Sequence, residues 1–226
     1  MSGDVSWQLN AARGNLQCGD LRASLDARTP ARGLFDVRLT DRLPEGCGFL
    51  GVGIDAAAPD TLADLYHRGG DLIARYRQSL QRGFAAEVYW RAGLLHVGGG
   101  RFPYCDLLVS VETQLLDSHP LLVAQTWLPL AAGRDVLQGK DYCVARLADA
   151  AVSYIELCHP ADALGQALQP YASGLRLTTR LFGLPLEKGV ILRSRLRGLF
   201  VSRADDELVA RAALADFASL PPPLTA

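Results

Sequence analysis

Three arginines, Arg193, Arg195 and Arg197, occupy alternate positions of the stretch LEKGVILRSRLRGLFVSR (186–203), interleaved with Leu192, Ser194 and Leu196. On a β-strand that spacing puts all three on one face, about 6.6–6.8 Å apart. At that distance two unit charges repel by roughly 0.6 kcal/mol in water, and about four times more at an effective dielectric of 20. Such a row invites carboxylates opposite it on a neighbouring strand, or a bound anion held by bidentate guanidinium contacts. Arg176 and Arg180 alternate in the same way in GLRLTTRLFG (174–183). If the two strands pair, five arginines share one face. The preferred reading is a solvated, salt-bridged sheet face; an anion or partner site is the alternative, and neither is catalytic.

A second stretch with chemical content is EVYWRA (87–92). Glu87, Tyr89 and Arg91 share one face of a strand, Val88 and Trp90 the other. A tyrosine between an acid and an arginine can clamp an anion or stack on a sugar, and an exposed tryptophan can do the stacking. The preferred assignment is Trp90 in the core and the other three on the outer face. Glu87, Glu112 and Glu156 each fall inside an expected strand, as surface groups or partners for the arginines. Paired across a cleft, two of them could do acid–base work on a glycosidic bond.

Other chemistry finds little support. The chain has no G-x-S-x-G elbow and no phosphate-binding P-loop, and its glycine-rich stretch HVGGGRFP (96–103) leads into a strand. His67, His96, His119 and His159 show no metal-ligand spacing. Asp117, Ser118 and His119 before Pro120 read as turn residues, because neighbours on an extended chain do not converge as a triad must. The expectation is no metal and no cofactor.

Bulk properties narrow the partners. The net charge is −1 and the isoelectric point about 6.4, so no global field draws the chain to nucleic acid or an anionic membrane. All but Lys140 and Lys188 of the 23 basic residues are arginines, a bias that a GC-rich genome accounts for. The five cysteines, Cys18, Cys47, Cys105, Cys143 and Cys158, form no C-x-x-C pair and follow no secretion signal. A reducing, cytoplasmic location is therefore expected. No apolar run approaches the ~20 residues of a membrane span.

The elements that must position these residues are mostly strands. Short alternating runs bounded by Gly, Pro and Asp include VSWQLN (5–10), GLFDVRL (33–39), GFLGVGI (48–54), AAEVYWRA (85–92) and DLLVSVETQLL (106–116). LLVAQTWLPL (121–130), DYCVARL (141–147) and VSYIELC (152–158) follow, then the two arginine-bearing strands. Residues 61–84 mix helical spacing with Gly69-Gly70 at their centre; a hairpin turning at the two glycines is preferred to a helix. A helix is expected after Ser202, with Leu208, Ala212 and Ala215 on its inner face and Ser202 and Asp205 as a capping pair. A shorter one is expected in PADALGQALQ (160–169), where proline takes the first position. The fold class is mainly β: an antiparallel β-sandwich, one domain over 1–226, closed by a C-terminal helix. The order of hairpin, return strand and long strand is compatible with a pseudo-repeat relating 61–116 to 141–203, but any antiparallel meander produces the same order, and that is the preferred reading.

The segments EVYWRA, LEKGVILRSRLRGLFVSR and FASLPPPLT (217–225) resemble those of uncharacterised bacterial proteins of a planctomycete type. The resemblance covers about a quarter of the chain; it implies a bacterial origin and brings no activity with it. The leading expectation is a non-catalytic ligand-binding or interaction protein, its partner an anionic small molecule, a sugar or a protein. The alternative is a carbohydrate-active enzyme of sandwich type.

Overall fold

A computed structural model describes residues 5–39, 41–42, 46–54, 61–129, 135–147, 151–162, 164–171 and 174–221. The ends of several expected elements (55–57, 130, 163 and 222–223) lie outside these. Among the described residues the strands form two large antiparallel sheets. The nine-stranded sheet runs β1 (Val5–Asn10), β2 (Arg13–Cys18), β3 (Leu21–Asp26), β4 (Leu34–Leu39), β6 (Gly48–Val52), β12 (Val123–Leu128), β17 (Gly174–Arg180) and β16 (Gln166–Tyr171), with β5 (Asp41–Arg42) beside β4. The eight-stranded sheet runs β13 (Val136–Gln138), β14 (Tyr142–Arg146), β15 (Val152–Cys158), β19 (Ile191–Ser202), β10 (Gly100–Glu112), β9 (Ala85–Val97), β8 (Asp71–Tyr76) and β7 (Leu62–Arg68). A two-stranded ribbon, β11 (Asp117–Ser118) with β18 (Leu186–Glu187), ties loops at one end. The expected mainly-β sandwich with a C-terminal helix is the architecture observed.

The core lies between the sheets, because alternate residues of each strand point inward. In β2, Gly14, Leu16 and Cys18 are buried while Arg13 and Asn15 are exposed. Phe49 of the nine-stranded sheet meets Tyr154 and Phe200 of the other, with ring centroids 5.7 and 5.2 Å away. Gly198 lies beneath this cluster, and a Cβ there would come within 2.6 Å of the Tyr154 hydroxyl and 3.1 Å of Phe49. Residues 61–84 begin as the hairpin β7–β8, turning at Gly69 (φ +58°) and Gly70. Segments 61–116 and 141–203 meet at the β10–β19 pair in the middle of the eight-stranded sheet. β17 pairs with β12 and β16 in the other sheet.

Two expectations need correction. The short helix after Pro160 is a turn followed by strand β16, because pairing along the whole of β17 satisfies backbone groups that an isolated short helix would leave half open. The long helix α1 (Asp206–Ser219) exists, but its buried face is Val209, Ala210, Ala213 and Phe217, while Leu208 is 61% exposed. Charge sets the rotation: Asp206 binds Arg146 at 2.9 Å and the Ser153 hydroxyl at 2.8 Å, and Asp216 binds Arg197 at 2.7 Å. Asp205 makes no side-chain cap, and the Ser202 hydroxyl instead accepts the Ala204 N–H at 3.3 Å. The helix lies over Val144, Ile155, Leu157, Leu199 and Val201 on the outer face of the eight-stranded sheet. No helix among the described residues is long and apolar enough to cross a membrane.

Candidate functional site

The arginine row of β19 points to the outer face of the eight-stranded sheet, the face that α1 partly covers. Cross-strand register places Arg68 opposite Asp71, Asp71 opposite Arg91, Arg91 opposite Asp106 and Asp106 opposite Arg197. Charges therefore alternate across five neighbouring strands. Arg91 grips Asp71 through two contacts of 2.7 and 2.9 Å, and Arg197 grips Asp106 through two of 2.6 and 3.0 Å. Arg197 is fully buried between the rings of Tyr104 and Phe217, 4.0 and 4.7 Å from its guanidinium carbon. Burial works to lower its pKa, but the hydrogen bonds and charge of Asp106 outweigh that and hold it above the usual arginine range.

Arg195 is also enclosed. It binds Asp162 at 2.7 and 3.3 Å, donates to the Leu220 and Pro221 carbonyls, and lies 3.0 Å from His159 Nδ1. That nitrogen accepts the Ala161 N–H, and burial followed by the Arg195 charge lowers the His159 pKa. Arg193, half-buried, stands opposite Ser110. Arg195 and Arg197 are thus salt-bridged as expected, but they are not solvated, because the helix and the chain after it lie on them. Arg176 and Arg180 sit on β17 in the other sheet, so the five arginines do not share a face. Arg176 donates to the Gln125 amide oxygen at 2.9 Å, and Arg180 is exposed.

The EVYWRA residues divide as the alternation requires. Trp90 is fully buried between the sheets and donates its indole N–H to the Leu50 carbonyl at 3.0 Å. Leu50 adopts a left-handed φ of +55°, which also turns its N–H to the Thr126 hydroxyl at 3.1 Å. On the outer face Glu87 pairs with Arg75 and accepts the Tyr89 hydroxyl at 2.6 Å. Tyr89 packs with Ile73 and Leu108 and is itself buried. Of the remaining acids, Glu112 is exposed at a strand end. Glu156 departs from expectation: it points into the sandwich, where Thr126 and Tyr154 donate to it at 2.6 and 2.8 Å. Burial pushes its pKa up to about 7 against the opposing pull of those hydrogen bonds. Among the described residues no cluster of His, Cys, Asp or Glu has the makings of a metal site.

An open, solvent-facing concavity lies elsewhere, on residues that no motif marks. A groove of about 370 Å³ runs over the outer face of β1–β4. Two cross-strand rows floor it. One reads Ser6, Gln17, Arg22, Arg38 and the other Gln8, Asn15, Ser24. Arg22 donates to the Gln17 amide oxygen at 2.6 Å, and Ser24 to that of Asn15 at 3.0 Å. A register shift between β3 and β4 marks a bulge at which Asp36 takes φ +51° and joins the lining. Beside the groove Asp26 is engaged by Arg13 at 3.3 Å. Arg22 and Arg38 therefore face each other on adjacent strands, and among the described residues neither has a carboxylate within ion-pair reach. The signal lay in three successive polar alternations: Ser6 and Gln8, Asn15 and Gln17, Arg22 and Ser24. Two of the strands, β2 and β3, were too poor in β-branched and aromatic residues to stand out.

No family model matches this chain, and no curated protein does. Solved structures share its outline at low similarity. A protein from the human microbiome described as a kojibiose phosphorylase superposes with a TM-score of 0.43 at 10% identity, over 96% of this chain and 23% of its own. An α-N-acetylgalactosaminidase from Bifidobacterium bifidum gives 0.44 at 12%, over 96% and 38%. A heparinase III gives 0.38 at 7%, over 89% and 35%. This chain thus spans less than two-fifths of each of those proteins. At such values the likenesses carry no functional argument.

Proposed function

We propose that this chain is a non-catalytic binding protein for a small anionic ligand rich in hydroxyls, a sugar acid or sugar phosphate, held in the groove over β1–β4. The observation that carries the reading is Arg22 directly opposite Arg38. Like charges in that position oppose the pairing of their strands, and a carboxylate or phosphate between them removes the repulsion while gaining charge-assisted hydrogen bonds. The amides and hydroxyls of Gln8, Asn15, Gln17 and Ser24 flank the pair with the donors and acceptors that a polyol needs. The arginine row of β19 serves the scaffold in this reading, clamping α1 and the chain that follows it. Hydrolysis of a glycoside calls for two carboxyls about 5–10 Å apart, whereas the described lining of the groove holds one, Asp36. A reducing, cytoplasmic setting belongs to the same proposal, supported by five buried cysteines that form no disulfide.

The test is a thermal melt and calorimetric titration against glucuronate, galacturonate and glucose 6-phosphate, with glucose as the neutral control. A ligand at 100 times its Kd adds about 2.7 kcal/mol of stability. The expected result is stabilisation by the anions alone, weakened by salt and lost in Arg22→Gln/Arg38→Gln. Equal stabilisation by glucose, or an anion effect that survives the double substitution, overturns the assignment.

A further inference from the structure

One end of the sandwich carries an apolar surface that the groove does not use. Loops 77–84, 113–122 and 181–190 converge there and expose Leu80, Leu115, Leu116, Leu121 and Leu184 beside Ile191, the first residue of β19. Leu80 and Leu116 are almost wholly exposed, at 106% and 85%. Incomplete folding does not explain this, because the same loops bury Phe84, Leu122, Phe182 and Leu186. Nor are the loops loose. The β11–β18 ribbon joins two of them. The Thr113 hydroxyl donates to the Gly83 carbonyl at 2.7 Å, and the Gln114 N–H to the Gln78 side chain at 2.9 Å. A Cβ at Gly83 would lie 3.6 Å from Leu115, which brings the first two loops into contact. The loops are therefore tied to one another and already organised, so covering their exposed side chains costs little ordering entropy.

We infer that this end is the interface of a symmetric dimer, its occupant a second copy of the chain. The extent of the patch makes it an interface, and its rim favours a copy over an unrelated protein. Six aliphatic residues stand exposed on and beside three loops that are tied together, an apolar surface of the kind that marks a protein interface. The rim is of mixed sign: Arg77 and Lys188 on one side of the account, Glu112, Asp117 and Glu187 on the other, all exposed. A two-fold axis makes a patch meet itself, so a rim holding both signs can be complementary to its own copy, where a rim of one sign would repel.

Sedimentation velocity on the whole chain across a wide concentration range tests this. The expected result is a concentration-dependent dimer. Leu80→Glu and Leu116→Glu should each weaken dimerisation at least tenfold without lowering the melting temperature of the monomer, both side chains lying in solvent. Leu208→Glu, on the exposed face of α1, should leave the dimer intact. Charge exchange gives a second readout: Lys188→Glu weakens association and Glu187→Lys added to it restores part. A chain monomeric at every concentration overturns the inference, as does a dimer that persists in both leucine variants. A dimer lost only in Leu208→Glu overturns it too, and moves the interface to the helix. Sugar binding in the groove is read separately, so failure here leaves that proposal standing.

Discussion

The carboxylate of Glu156 on β15 accepts a 2.6 Å hydrogen bond from the hydroxyl of Thr126 on β12, across the interior of the sandwich. Tyr154 donates to the same oxygen at 2.8 Å. The interior at this point is held together by an acid that burial makes reluctant to ionise.

Stability should therefore fall as pH rises through the range that titrates Glu156. Its folded pKa is raised from 4.5 to about 7, so the folded state holds the proton more tightly than the unfolded chain. The stabilising contribution is complete below about 4.5, declines between there and 7, and is gone above. The span corresponds to roughly 3 kcal/mol. Urea denaturation of wild type and Glu156→Gln at pH 5 and pH 8 checks it: the variant should gain on wild type by that order at pH 8 and little at pH 5. Parallel pH dependences would contradict the assignment.

The pair Arg197–Asp106 should behave as a buried salt bridge that is costly to break by halves. Arg197→Met leaves Asp106 enclosed without its partner and should cost about 3–5 kcal/mol. Adding Asp106→Leu removes the stranded charge and should recover much of that loss. Denaturant midpoints of the two single variants and the double one give the coupling. Strictly additive losses would mean that the two residues act independently.

Gly198 should tolerate no side chain. A methyl there meets the Tyr154 hydroxyl, itself fixed by Glu156, and the edge of Phe49, so Gly198→Ala should lose about 1–3 kcal/mol by overpacking. Gly53, where an added Cβ finds its nearest neighbour at 3.4 Å, is the control. Equal melting temperatures for the two alanine variants would show that the core relaxes around residue 198.

The groove should show binding and stability in opposition. Relieving the Arg22–Arg38 repulsion by Arg38→Gln is expected to stabilise the ligand-free chain by about 0.2–1 kcal/mol, even as it removes an anion contact. Added salt should stabilise wild type more than the variant, since screening weakens a repulsion that the variant lacks. A variant less stable than wild type at low salt would mean that Arg38 is held by an attraction instead.

Local periodicity was enough to read much of this protein from its amino acids. The two-residue alternation of VSWQLN, EVYWRA and RSRLRGL specified strands and the face on which each side chain stands, and Gly69-Gly70 specified a hairpin, because these are properties of a few consecutive residues. The same alternation put Trp90 inside and the three β19 arginines together. Which strand each would neighbour lay beyond its reach. Arg197 meets Asp106 from 91 positions away, and β17 crosses to the other sheet, choices made by the packing of all strands at once. Whether the arginine face is wet was decided by the docking of α1, and whether Glu156 faces water by a second sheet supplying Thr126. The groove itself exists only where four short polar strands lie side by side, so tertiary structure alone set Arg22 against Arg38.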